Sequence, residues 1–351
     1  MIRPVHGGNL AWAAATAGCS EEAILDFSAS ISPLGPPASA IAAIQAHLGN
    51  LSSYPDPDYR DLRLALGQVH KLPPEWILPG NGSAELLTWA GWDLAKLATT
   101  CLVTPAFGDY WRALKAFGAK VQSCPIFLDE ELGTPSFPAS LSTCGLLLNN
   151  PHNPTGCLFS RSAIIPYLER FALVVVDEAF MDFLPPEQEQ SLSSLVQAYP
   201  NLVILRSLTK FYSLPGLRVG YAIAHPERLQ RWQQWRDPWP VNTLAAAAAV
   251  AIVQDLAYQN QTWAWLPPAR AALFQGLAQI PFLQPYPSAA NFLLVRSQKP
   301  SSEVQQRLLK HHQILIRDCL SFPELGDRFF RLAVRSSQDN ERLLQAMAAD
   351  D

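Results

Sequence analysis

Through the middle of the chain, short runs of consecutive apolar residues alternate with longer stretches in which apolar residues recur at helical spacing. The runs are CLV at 101–103, GLLL at 145–148, ALVVV at 172–176, LVIL at 202–205 and VGYAI at 219–223. They are apolar on successive residues, the pattern of strands covered on both faces. The stretches between them, at 83–97, 107–117, 160–170 and 191–198, predict helices. Strands and helices in alternation make a largely parallel sheet with helices on both sides, an α/β three-layer architecture.

Past residue 224 the pattern changes. Residues 225–237 predict a helix leading out of the sheet, and 242–280 predict long helices broken at the proline pair 267–268. The runs NFLLV (291–295), ILIR (314–317) and FFRLAVR (329–335) alternate with helical stretches near 301–312 and 338–348. That mixture predicts a smaller α+β domain. The expected division is a large domain over 45–235, with 1–44 and 236–351 together forming the small one. No internal repeat is visible.

Composition narrows the function. A chain of 351 residues exceeds what one core usually takes, and 49% hydrophobic against 16% charged residues is a globular balance. The 26 Lys and Arg are scattered and outnumbered by 30 Asp and Glu, giving a net charge of -4, which leaves no basic footprint for nucleic acid. Six cysteines stand far apart with no CxxC pair, against both a disulfide framework and a metal site. The first residues carry no apolar core of signal-peptide length, and LAAAAAVAIV at 244–253 is too short to span a bilayer. The expectation is a cytoplasmic protein with neither membrane nor nucleic-acid partners.

The chemistry gathers at the strand ends, where open α/β sheets bind ligands. TPAF follows residue 103, NNPHNPTG follows 148, DEAF follows 176 and RSLTK follows 205. Lys210, just past an apolar run, is placed to lose charge by desolvation, and a neutral amine can condense with an aldehyde. Asp177, after four apolar residues, needs a positive partner such as a protonated pyridine nitrogen. Ser207 and Arg218 offer a hydroxyl and a forked cation for a phosphate. GNGSAE at 80–85 opens a helix, whose free N–H groups make an anion site. Aldehyde, pyridine nitrogen and phosphate together describe pyridoxal 5′-phosphate. Taken singly the features are ordinary: a lysine after a strand usually snorkels to the surface. Glu178 reads as a solvated carboxylate.

In this order GNGSAE, NPHNPTG, DEAF and SLTK…GLR resemble the fold-type I pyridoxal-phosphate enzymes of the class I and II aminotransferase group, over essentially the whole chain. Within it, HGGN (6–9), LDFSASISPLG (25–35), YPDPDY (54–59), RSLTKFY, PWPVN (238–242) and IRDC (316–319) are most similar to the threonine-phosphate decarboxylases, close relatives of the histidinol-phosphate aminotransferases. The resemblance implies the pyridoxal-phosphate-dependent transferase fold. It also implies decarboxylation of L-threonine O-3-phosphate to the aminopropanol phosphate of cobamide side chains. Amino transfer on histidinol phosphate is the alternative, and a catalytically silent cofactor-binding module the second.

The same resemblance assigns roles. Lys210 becomes the lysine that binds the cofactor and shuttles the proton, and Asp177 the partner of the ring N–H. Asn153 would reach the ring 3-oxygen and Phe107 stack on the ring. Gly82, Ser83, Ala84, Ser207 and Arg218 would hold the phosphate. Tyr54 would reach that phosphate from a second subunit, which implies a homodimer. Arg335 would pair with the substrate carboxylate, while His6, Ser32 and Arg317 would contact the phosphorylated substrate. Two departures stand out. Transaminases of this group usually carry tyrosine where Phe180 lies beside the ring oxygen, and the decarboxylases tend to have asparagine at the positions of Ser30 and Ser32.

Overall fold

The computed structural model describes residues 3–126, 137 and 141–349. Seven strands form one sheet, in the order Ile77–Asn81, Val219–Ala224, Leu202–Ser207, Leu173–Asp177, Cys144–Asn149, Thr99–Thr104 and Val121–Pro125. Val219–Ala224 is antiparallel to both of its neighbours, and the pairs from Leu202–Ser207 across to Val121–Pro125 are all parallel.

The continuous apolar runs find cover on both faces, as the sequence predicts. Leu146, Leu148, Val174, Val176, Leu202 and Ile204 join one apolar cluster; Leu147, Val175, Val203 and Leu205 join another on the opposite face. Helices Gly82–Leu94, Gly108–Lys115 and Pro226–Trp235 close the second cluster with Leu86, Leu114 and Trp232. Arg60–His70, Arg161–Leu168, Thr243–Ile252 and Leu256–Ala278 close the first. Each fully buried aliphatic side chain contributes about 1.5–3 kcal/mol.

A second, four-stranded antiparallel sheet follows, in the order Arg317–Asp318, Phe329–Ala333, Phe292–Ser297 and Leu283–Pro285. Helices Ser301–His312 and Ser337–Ala348 accompany it. The N-terminal segment joins this part of the chain through a parallel pair, Leu25–Asp26 against Ile314–Leu315. The expected limit at residue 44 falls inside the helix Ala38–His47, which packs on Thr243–Ile252.

Four expectations are corrected. The run 191–198 yields only the short turn Ser193–Leu195, because Ser191 Oγ and the Leu192 N–H are both given to Glu178. Glu178 itself is fully buried rather than solvated: its carboxylate lies 3.0 Å from Arg206, whose guanidinium also holds Asp182 and Glu189. The helix Leu256–Ala278 runs unbroken through Pro267 and Pro268, held by Leu266, Ala269, Leu273 and Leu277 in the core; the break comes before it, where Asp255 caps the helix by accepting from Tyr258 N. ILIR divides between two sheets, Ile314–Leu315 pairing with the N-terminal segment and Arg317–Asp318 with Phe329–Ala333. The strands Ile77–Asn81, Val121–Pro125 and Leu283–Pro285 escape the pattern because they contain proline or polar residues, as edge strands do.

Candidate active site

The parallel strands deliver their carboxyl ends to one edge of the sheet, and a cavity of about 230 Å³ lies there. Its wall includes Lys210, Asp177, Asn153, Ser83, Phe107 and Phe180 from the large sheet's loops. Arg317 and Arg331 come from the smaller sheet, and His6 and Ser30 from the N-terminal segment.

Lys210 follows the strand Leu202–Ser207 by one turn, and its Nζ donates to Ser207 Oγ at 3.1 Å. Loss of water around the amine pushes it down to about 8; Asp177 opposes the shift, while Arg218 and Arg331 add to it. Asp177 is the last residue of its strand, and burial pushes its carboxyl up while Lys210 holds it down. Its Oδ2 accepts from Tyr110 Oη and its Oδ1 from Ala179 N, both at 2.9 Å. A half-buried amine and a buried carboxylate, each pressed toward neutrality, form a site that a cationic ring N–H would complete.

The phosphate end is built from backbone. Gly82 has φ +72°, a left-handed backbone that favours glycine, and a Cβ there would lie 2.6 Å from Arg218 Nη2 and push that guanidinium aside. Gly220 lets the same helix start come close, since its Cβ would meet Ser83 N at 2.7 Å. Ser83 lines the cavity, with Gly82 and Ala84 flanking it. Arg218 sits exposed at the turn with φ 55°, donating to Pro215 O at 3.1 Å. Phe107 packs against His6 at 5.6 Å and edge-on against Tyr110. Phe180 packs edge-on against Phe292, with the Lys210 amine 5.6 Å from its ring centre.

Several expected residues lie elsewhere. Arg335 does not line the cavity: its guanidinium goes to Asp339 at 3.1 Å and to Asp26 O at 3.0 Å. Arg331, on the same strand face, lines it instead, donating to Asn153 Oδ1 at 2.5 Å and Ser28 O at 3.2 Å. Burial pushes Arg331 down to about 10, its Nε has no hydrogen-bond partner, and no carboxylate among the described residues pairs with it. Arg317 is its register partner across the antiparallel pair, and donates to Val5 O and Ser321 Oγ. Ser32 faces away from the cavity and fastens the lysine loop through its backbone, with Ser32 N to Lys210 O at 3.0 Å. Tyr54 is exposed and stacked on Trp239, outside this chain's cavity. Tyr110 and Arg331 went unread, and Ser30 was read only as a departure from the decarboxylases' asparagine. Arg331 shares strand parity with Arg335, and the strand's end at Ala333 is what separates them.

The donor set fits pyridoxal 5′-phosphate: an amine of lowered basicity, a buried carboxylate, a ring-facing aromatic and a glycine-shaped helix start beside a serine and an arginine.

Residues 22–347 match the family model described as Aminotransferase class I and II. The threonine-phosphate decarboxylase of Salmonella typhimurium is 39% identical, over 99% of this chain and 96% of that protein. A bifunctional protein of adenosylcobalamin biosynthesis from Leptospira interrogans is 28% identical over 99% of this chain and 41% of its own length. The crystal structure of the histidinol-phosphate aminotransferase from Clostridium acetobutylicum superposes with a TM-score of 0.83 at 28% identity, over 93% of this chain and 99% of that one.

Proposed function

The chain belongs to the class I and II aminotransferase family, and from that premise we propose that it decarboxylates L-threonine O-3-phosphate to aminopropanol phosphate for cobamide side chains. The observation that carries this reading is the opposed pair Arg317 and Arg331, both lining the cavity that holds Lys210. Two cations on facing residues suit a substrate with two anionic groups. Arg331, half-buried and in no ion pair with a carboxylate among the described residues, takes the substrate's carboxylate; Arg317 and His6 take its phosphate.

When bound, pyridoxal phosphate supplies an aldehyde for the substrate amine and a protonated ring that accepts the electrons released at Cα. Lys210 would bind it and Asp177 its ring N–H, with Asn153 offering its amide N–H groups to the ring oxygen and Phe107 covering the ring. Ser83, Ser207, Arg218 and the helix start at Gly82 and Ala84 would hold its phosphate. Arg331 fixes the direction of the carboxylate without overstabilising it, since tight ground-state binding would slow its loss. Lys210 then delivers a proton to Cα, a task its basicity near 8 suits. Phe180 gives this wall no hydroxyl to bond the ring oxygen.

A homodimer belongs to the same reading, with Tyr54 reaching the partner's cofactor phosphate. So does a cytoplasmic setting, which the six free cysteines support; among the described residues no helix is long and apolar enough to cross a membrane. The two-domain division at 45–235 is likewise part of the proposal.

The reaction is tested by measuring CO₂ from threonine phosphate without a keto acid, and separately amino transfer between histidinol phosphate and 2-oxoglutarate. CO₂ release is the expected result. Strong transfer with no CO₂ would promote the aminotransferase alternative, and turnover of neither would favour the silent module.

A further inference from the structure

Ser30 stands in the cavity wall, 5% exposed, and its hydroxyl has no hydrogen-bond partner. A buried hydroxyl without a partner is costly to keep, and Ser30 is one of the residues that line the cavity. Its neighbours fix its place. Two residues before it, Ser28 O accepts from Arg331 Nη2 at 3.2 Å. Two residues after it, Ser32 N donates to Lys210 O at 3.0 Å, and Ser32 O accepts from Ser213 Oγ at 2.5 Å. Ser30 therefore sits midway along a strap tied at one end to the guanidinium and at the other to the lysine loop.

We propose that the Ser30 hydroxyl donates a hydrogen bond to the substrate carboxylate, beside Arg331. This deepens the proposed function and rests on it. An amino acid with its Cα at Lys210 and its carboxylate at Arg331 would reach between the two ends of the strap, the stretch in which Ser30 lies. Arg317, by contrast, is tied to Val5 and Ser321 rather than to the strap. A guanidinium alone leaves the carboxylate free to swivel; a hydroxyl from a second direction fixes its plane and so selects which bond at Cα breaks.

The test compares wild-type holoenzyme with Ser30→Ala by rapid-mixing absorbance, read before turnover, against O-phospho-L-serine and O-phosphoethanolamine, which differ only in the carboxylate. Cofactor content is measured alongside. Loss of a hydrogen bond to a charged group should weaken phosphoserine about tenfold or more and leave phosphoethanolamine within about twofold, with cofactor content unchanged. Ser30→Thr, which keeps the hydroxyl, should recover most of the loss. Equal weakening of both ligands would move the hydroxyl to the phosphate and overturn the proposal, and so would no change in either. Wild-type holoenzyme that binds neither compound would bring down the functional reading itself, before any substitution is made.

Discussion

Arg317 and Arg331 face each other directly across an antiparallel strand pair, two guanidinium groups held over one cavity. Like charges in that relation repel, so an anion between them relieves both; Arg317 already has the Asp318 carboxylate at 3.5 Å. Arg331 has the greater need, since burial and Arg317 together push it down to about 10.

The arginine that reads the carboxylate is therefore separable from its neighbour. Arg331→Met should lower kcat/KM by ~30-fold or more, as expected on removing a buried charged partner of a substrate anion. Arg335→Met should stay within a few-fold, because that guanidinium serves Asp339 and Asp26 O. Steady-state kinetics on both variants decides it; the reverse ranking would return the role to Arg335.

Lys210 sets a pH dependence in the apoprotein. Its folded basicity, about 8, lies below the 10.5 of a free lysine, so between those values the unfolded chain binds the extra proton. Stability then rises with pH across that window, as the penalty on the buried charge disappears. Lys210→Met apoprotein lacks the penalty, so it should be more stable than wild type at pH 7, with the gap closing as pH passes 8 toward 10.5. Urea midpoints of both proteins measure this. A gap that ignores pH would mean the amine stays hydrated.

Asp177→Asn should fold and still bind cofactor, yet lose ~10²–10³ in kcat by removing a preorganised charge. Tyr110→Phe, which removes one donor to the same carboxylate, should cost less. Activity of Asp177→Asn within a few-fold of wild type would make the aspartate structural.

For Tyr54, complementation is the measure. Tyr54→Ala and Lys210→Ala chains, each inactive alone, should regain activity as mixed dimers that contain one intact site. If mixed dimers form and stay inactive, both residues act within one chain.

What could be read in advance followed a physical divide. Lys210 and Asp177 were legible because each ends or follows a run too apolar to be anything but a buried strand, whereas Asn153 was legible only through the family resemblance of NPHNPTG. Those runs fixed the large sheet, and through it the edge where the cavity lies. Arg331 and Ser30 were not, because their roles depend on which of two residues of equal parity a strand or strap turns inward. Ser32 and Arg335 share those parities and are claimed by backbone and helix-cap contacts that only the folded chain creates. Glu178 was misread because its partner, Arg206, lies on a neighbouring strand, 28 residues away in sequence and invisible to local pattern.

The pairing of Leu25–Asp26 with Ile314–Leu315 also sets an order of events on the ribosome. The strands of the sheet that carries Lys210 and Asp177 are all made by Ala224, and the helices Thr243–Ile252 and Leu256–Ala278 that cover its first face follow soon after. The segment bearing His6 and Ser30 is made before that sheet, yet must wait for Ile314–Leu315, a strand made after it. At 5–20 residues per second that wait over nearly 290 residues is roughly 15–60 s. During it the lysine loop lacks the wall that later covers it, so the nascent chain presents an open cofactor cradle before it has a substrate pocket.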